Sequence, residues 1–392
     1  SVQYATIETL RLQAGDGNDT VNVSNTAASV NTIIETHAGA DAISLATTGT
    51  NSNVAIDGGT GSTTLTVTTT GSTSTLIVTT AESADTVTLL AVGANSQTAV
   101  STGASADSIE VRTSSAGSVV DLLGGDGSDV FSLGNAANSL DQLLGLTFVT
   151  GGNQSAGSTP FTIPGVSNAN ATGDWLVVRD QGDSDAHTVT MNATTFVRNG
   201  AGTITYAGVE AIDALLGNGV DAVVIGSTHA GTTSLATGGE ADVVTVQTTS
   251  GMLNLATGDG ADAIGILSVG AAANIRAGLG DDTVSLSSDA PTNAGTLNGL
   301  LGALTINGDG GTDALLLSDA GDTVNGSGTL SATMLSGFGT AGVTYGTFES
   351  VGLTLGSGAD SLVVNSTISG PTTITTGAGA DVVTVQTTGG VL

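Results

Sequence analysis

Gly15-Asp16-Gly17-Asn18-Asp19-Thr20-Val21-Asn22-Val23 carries two signals in nine residues. Glycines four and two places before Asp19 permit the positive φ of a tight corner. After Asp19 every second residue is apolar, Val21 and Val23, as in a strand with one buried face. The arrangement recurs. Asp19, Asp41, Asp85, Asp107 and Asp129 lie on one 22-residue grid, with Thr63 on the missing step. Asp221, Asp242, Asp262 and Asp282, and again Asp360 and Asp381, follow at spacings of 20 or 21, and Asp313 stands alone. All twelve aspartates have apolar residues two and four places on, from Ile43 and Leu45 to Val383 and Val385. Glycine stands four places before nine of the twelve, and two places before nine. An apolar residue seven places before the aspartate, as at Leu12, Ile34, Val78, Leu122, Leu255, Ile306 and Ile374, marks a second strand that ends at the corner.

One period is therefore strand, glycine corner, strand and a polar return such as residues 24–29. The pattern predicts an all-β parallel β-solenoid with coils of about 20–22 residues, each hydrogen-bonded to the next at ~4.8 Å. About 17 such coils would make a rod on the order of 80 Å long. Composition agrees with a repetitive chain: 392 residues hold 59 glycines and 3% aromatics, with Val, Leu and Ile throughout. The sequence opens without a methionine and stops within a recurring pattern, so it is expected to be part of a longer chain.

A longer repeat overlies the coils. Residues 174–253 align without a gap onto 313–392, an offset of 139 that places Asp174 on Asp313, Tyr206 on Tyr345, Glu210 on Glu349 and Asp221 on Asp360. Tyr4 and Glu8 open the same unit at the N-terminus. Recurrence at unit boundaries predicts a junction in which the tyrosine packs and the glutamate is hydrogen-bonded or solvated. Regular coils are expected over residues 1–139, 206–288 and 345–392. Irregular, enlarged coils are expected over 140–205 and 289–344, which open alike on Leu140, Leu143, Leu144, Gly145 and on Leu297, Leu300, Leu301, Gly302. The leucines suggest a short helical turn, and the first segment a protruding loop near residues 150–173.

Gly124-Gly125-Asp126-Gly127-Ser128-Asp129-Val130-Phe131 resembles the hemolysin-type nonapeptide (G-G-x-G-x-D-x-U-x). The corners at 14–23 and 257–266 are close to it. The longer units resemble those of very large bacterial surface and matrix proteins. The resemblance implies an extracellular or cell-surface location, a structural or adhesive role, and Ca²⁺ held between coils by the aspartates and turn carbonyls. The residues to which it assigns the metal are Asp16, Asp19, Asp41, Asp107, Asp126, Asp129, Asp221, Asp242, Asp259, Asp262, Asp281, Asp282, Asp360 and Asp381. The corners with a second acid, Asp16, Asp126, Asp259 and Asp281, are the stronger candidates. Here a coil carries the motif once, so a single column of sites is expected. The alternative role for each aspartate is to cap its corner by accepting backbone N–H bonds. Carboxylates stacked ~4.8 Å apart repel by roughly 3–4 kcal/mol at an effective dielectric near 20 but by under ~1 kcal/mol if fully solvated, so a buried column demands cations and a solvated one does not.

Other chemistry is sparse. The formal charge is −30, with no lysine and five arginines, Arg11, Arg112, Arg179, Arg198 and Arg276. Such a polyanion is not a nucleic-acid binder, and no apolar run approaches the ~20 residues of a membrane helix. No nucleophile, phosphate-loop or dinucleotide motif occurs, and a polysaccharide-cleaving site would need a cluster of basic residues that five scattered arginines and no lysine do not offer. His37, His187 and His229 lack metal-ligand spacing and are expected at the surface or in turns. The expected partners are further copies of the same chain, head-to-tail, with cell-surface glycans as the alternative if the loop near Phe161 and Trp175 makes an adhesin stalk. Sequons include those at Asn22, Asn192 and Asn365. The chain is thus read as a non-catalytic structural protein of an extracellular rod, fibre, matrix or surface layer.

Overall fold

The computed structural model describes residues 7–153 and 173–392, and within them the chain forms thirty-four strands and no helix. It is an all-β, largely parallel solenoid in which successive strands alternate between two sheets. Two compact units form, Ser1–Asp183 with Thr194–Ala214, and Ser184–Ala193 with Leu215–Leu392.

In the first unit the strands that precede each corner make one sheet: Thr9–Gln13, Asn31–Glu35, Asn53–Asp57, Thr75–Thr79, Gln97–Ala104, Val119–Asp126 and Leu146–Asn153. Those that follow each corner make the other, from Thr20–Val23 and Asp41–Thr47 to Val130–Leu133 and Trp175–Arg179. Through the first six coils Ile34 pairs with Ile56, Ile56 with Val78 and Val78 with Val100, always 22 residues on. A slip of one residue would turn every apolar side chain to solvent, so the alternation itself locks the register. The inward set, including Ile34, Leu45, Ile56, Leu65, Val67, Leu76, Leu89, Ile109, Leu122 and Phe131, is buried between the sheets.

The irregular stretches contain antiparallel hairpins. Leu143 donates to the Leu140 carbonyl and Leu300 to that of Leu297, so each leucine segment makes one turn and no helix. In the first unit Thr195–Arg198 and Ile204–Ala207 form an antiparallel pair, and the latter also pairs in parallel with Leu146–Asn153. The loop expected near 150–173 falls mostly on residues 154–172, which lie outside the described residues, as do Tyr4 and Phe161.

The second unit differs from expectation in one respect. Its corner-following strands run from Thr188–Met191 through Ala222–Ile225, Val243–Val246, Ala263–Ile266, Thr283–Leu286 and Ala314–Ser318 to Ser350–Thr354. Ser350–Thr354 then pairs with Thr372–Thr375, a strand that precedes the Asp381 corner. One strand thus ends one column of corners and begins another at the opposite edge. The change is made possible by a meander, Ser327–Leu330, Met334–Gly337 and Thr340–Gly346, whose first strand also pairs with Ser361–Val364. The antiparallel strands add to one sheet without adding to the other, so the corner crosses sides and the second unit carries two columns, not one.

The corners need glycine because consecutive coils touch backbone to backbone. At Gly280 φ is +138°, and a Cβ would overlap the Gly260 carbonyl oxygen. Where another residue takes such a position the backbone keeps the left-handed conformation, as at His37 (φ 64°) and Glu240 (φ 72°). Glu240→Gly is therefore expected to raise stability by about 0.5–1 kcal/mol in a urea titration, relieving left-handed strain at some entropic cost.

The polar return is also built. Thr26, Thr48 and Thr70 are buried, and their hydroxyls accept the N–H groups of Gly49, Gly71 and Gly93 one coil on. In the second unit Thr228 accepts from Gly251 and Thr367 from Gly389.

Candidate functional site

The aspartate of each corner stands at or immediately before the start of a strand, and its N–H points along the stack toward the next coil. There it meets the carboxyl group of the next aspartate. Asp19 donates to Oδ1 of Asp41 at 2.8 Å, Asp85 to Asp107 at 2.7 Å, Asp107 to Asp129 at 2.9 Å and Asp129 to Asp174 at 2.8 Å. In the second unit His187 donates to Asp221, Asp221 to Asp242, Asp242 to Asp262, Asp262 to Asp282 and Asp282 to Asp313, all at 2.8–2.9 Å. The second column runs from Gly326 to Asp360 to Asp381. Thr63 interrupts the first: it donates to Asp85 but offers no carboxyl group, so Asp41 donates instead to the Ser62 carbonyl.

The Tyr-x-x-x-Glu junctions terminate the columns. Asp174 donates to Oε2 of Glu210 and Asp313 to Oε2 of Glu349, each at 2.7 Å. The longer glutamate reaches the N–H where the chain returns from an antiparallel hairpin instead of a glycine corner. Tyr206 and Tyr345 are buried beside them, and their hydroxyls donate to the Thr195 and Ser331 carbonyls. Glu349→Ala is expected to cost about 1–3 kcal/mol, because it orphans the Asp313 N–H, and Glu349→Gln to recover most of it; chemical denaturation of the two variants measures this.

Asp41, Asp107, Asp129, Asp221, Asp242, Asp262, Asp282 and Asp360 are buried, while Asp19 and Asp381 are half-buried in outermost coils. Asp85, Asp174 and Asp313, absent from the expected metal set, belong to the same columns. Asp16, Asp126, Asp259 and Asp281 face solvent instead, and Asp281 accepts the Thr312 N–H. The paired acids therefore diverge, one inward and one outward.

Burial drives the inward carboxyl groups up: Asp107 and Asp242 to about 7, and Asp129 and Asp282 to about 6. N–H donation from the preceding aspartate opposes the rise, while for Asp107, Asp242 and Asp282 the neighbouring carboxyls add to it.

Calcium takes six to eight oxygens at 2.3–2.6 Å. The inward carboxyls do not fit such a site. Oδ1 is occupied by an N–H, and Oδ2 is tucked against the preceding strand, so that a Cβ at Gly124, Gly151 or Gly308 would overlap Oδ2 of Asp129, Asp174 or Asp313. The capping role is the one these atoms perform.

A second buried charge centre was not legible. Arg198 is fully buried in the first unit, with Nε 2.7 Å from Asp180, Nη2 2.8 Å from Asp141, and a further ion pair to Asp183. Asp180 also accepts the Leu140 N–H. The other four arginines pair with Glu35, Glu110 and Asp309 on exposed or partly exposed strands. His229, expected at the surface or in a turn, is buried, with Nδ1 2.9 Å from the Thr233 hydroxyl. Trp175, expected at the edge of a binding loop, is 2% exposed and packs with Val177, Ala211 and Val130, which takes Trp175 out of the case for an adhesin; the loop itself and Phe161 lie outside the described residues.

In comparison with known proteins, the chain matches no protein-family model, no curated protein and no solved structure.

Proposed function

We propose that the chain is a non-catalytic structural protein, an extracellular rod or fibre element of a matrix, filament or surface layer. The observation that carries this reading is the direction in which its polar side chains work. Aspartate, threonine, glutamate, tyrosine and buried arginine, the residues from which a reactive site would be assembled, are engaged in joining one coil to the next. A stack built this way transmits load through its own backbone and exposes an acidic surface. Continuation with further copies of the chain is the assembly that suits it, since a parallel coil presents unpaired N–H and C=O groups to whatever follows.

Calcium enters this reading through the outward acids Asp16, Asp126, Asp259 and Asp281, which face solvent where an ion would arrive. Thermal unfolding in calcium and in chelator tests that part, and unchanged melting removes calcium from the proposal. Sedimentation together with electron microscopy tests the assembly. Filaments or end-to-end oligomers are expected, and particles that stay monomeric at high concentration would sink the fibre reading.

A further inference from the structure

Asp107 shows an arrangement that repeats along the columns. Its Oδ1 accepts the Asp85 N–H, and its Oδ2 is buried with no hydrogen-bond donor. Beside the carboxyl lies the hydroxyl of Thr102, five residues earlier; donation from it would hold the Asp107 pKa down, but its one proton goes to the Gly124 carbonyl of the next coil at 3.0 Å. The threonine oxygen therefore has a lone pair to offer and no proton. Thr80 stands in the same relation to Asp85, Thr237 to Asp242 and Thr257 to Asp262, with hydroxyls donating to the carbonyls of Thr102, Thr257 and Ala277. Oδ2 of all four aspartates is buried without a donor.

An ionised carboxylate in this position would be a desolvated anion with one donor and with like charges in the adjoining coils. A neutral acid completes the set: Oδ1 accepts from the coil before, Oδ2–H donates to threonine, and threonine donates to the coil after. We propose that Asp85, Asp107, Asp242 and Asp262 are held as neutral carboxylic acids, making each unit a proton-locked stack that is tight in acid and loosens in alkali.

The surrounding charges leave the acid form favoured. Around Asp107 they are Glu82 and Asp85 on the coil before, Asp126 and Asp129 on the coil after, and Glu110 and Arg112 on its own strand, which pair with each other at 3.1 Å; Arg179 lies 3.9 Å from Glu110. The charges acting on Asp107 are those of Asp129 and Asp85, both of which disfavour ionisation. Around Asp242 stand Asp221, Glu240, Asp259 and Asp262, all acidic, and Asp262 and Asp221 act on it in the same sense. A folded-state pKa raised above the unfolded value of about 3.9 contributes stability that is complete below that value and lost as pH rises. For Asp107 and Asp242 the loss passes through about 7.

The test uses the full chain in chelator at about pH 6 and pH 9. Infrared spectroscopy is expected to show a protonated carboxylic acid band at pH 6 that disappears at pH 9, with Tm falling on the order of 10 °C. Asn carries an acceptor and a donor in the same places, so the Asp85→Asn, Asp107→Asn, Asp242→Asn, Asp262→Asn variant is expected to lose the band and most of the pH dependence. No band at pH 6, a Tm equal or higher at pH 9, or an undiminished pH dependence in the asparagine variant each overturns the proposal. Should that variant not fold, the spectra and melting of the unsubstituted chain decide. Neither measurement depends on whether the chain assembles.

Discussion

Arg198→Met is expected to cost about 3–5 kcal/mol in the first unit, measured by urea unfolding. The substitution keeps most of the side-chain volume and removes the guanidinium that pairs with Asp180, Asp183 and Asp141. Asp180 is itself 1% exposed and holds the turn at Leu140, so the cost is that of a buried carboxylate losing its guanidinium. Adding Asp180→Asn and Asp183→Asn is expected to recover part of the loss, since the neutral amides need no counter-ion. The internal repeat shows a cation-free solution to the same corner. Gly337 stands where Arg198 does, and Asn298 contacts Asp322 in the place of Asp141. There Asp319, the counterpart of Asp180, accepts the Leu297 N–H and is pushed up to about 6 by burial and then by Asp322 and Asp360.

Gly280→Ala should destabilise the second unit by at least about 3 kcal/mol, with loss of the coils around it. The added methyl would overlap the Gly260 carbonyl, which is backbone and cannot rotate away, and φ at Gly280 is +138°. Gly15→Ala is the control. It occupies a corner position too, but a Cβ there meets nothing within 4 Å, so a change below about 0.5 kcal/mol is expected. Comparable losses at both sites would mean that glycine acts through chain flexibility and not through contact between coils.

Much of this was legible in the sequence because the signal is repeated. Val21 and Val23, Ile43 and Leu45, and their counterparts state the buried face over and over, and parallel stacking brings equal positions together. The junction was legible for the same reason: Tyr206 and Tyr345 are buried and Glu210 and Glu349 hydrogen-bonded, as their recurrence predicts. The capping role of aspartate was one of two readings of the same residues, and choosing between them required the direction of Oδ2. The threonine seven places after many of the aspartates, as at Thr26, Thr48, Thr228, Thr249 and Thr367, and after Thr63 at Thr70, recurs with the coil. Attention to that spacing would have found the second ladder.

Period and alternation alone determined the solenoid, its coil length and the inward face, because each depends only on neighbours along the chain and one coil away. The tertiary structure alone decided the crossing of the corner to the other edge in the second unit, which depends on a hairpin whose short strands fall outside the 20–22-residue coil period. It alone decided that Arg198, one of five arginines with no distinguishing context in sequence, is the buried one, since its partners lie 15 to 57 residues away. It also set the paired acids apart, Asp129 inward and Asp126 outward, because the corner between them turns the backbone and with it the side of the sheet that each carboxyl group faces.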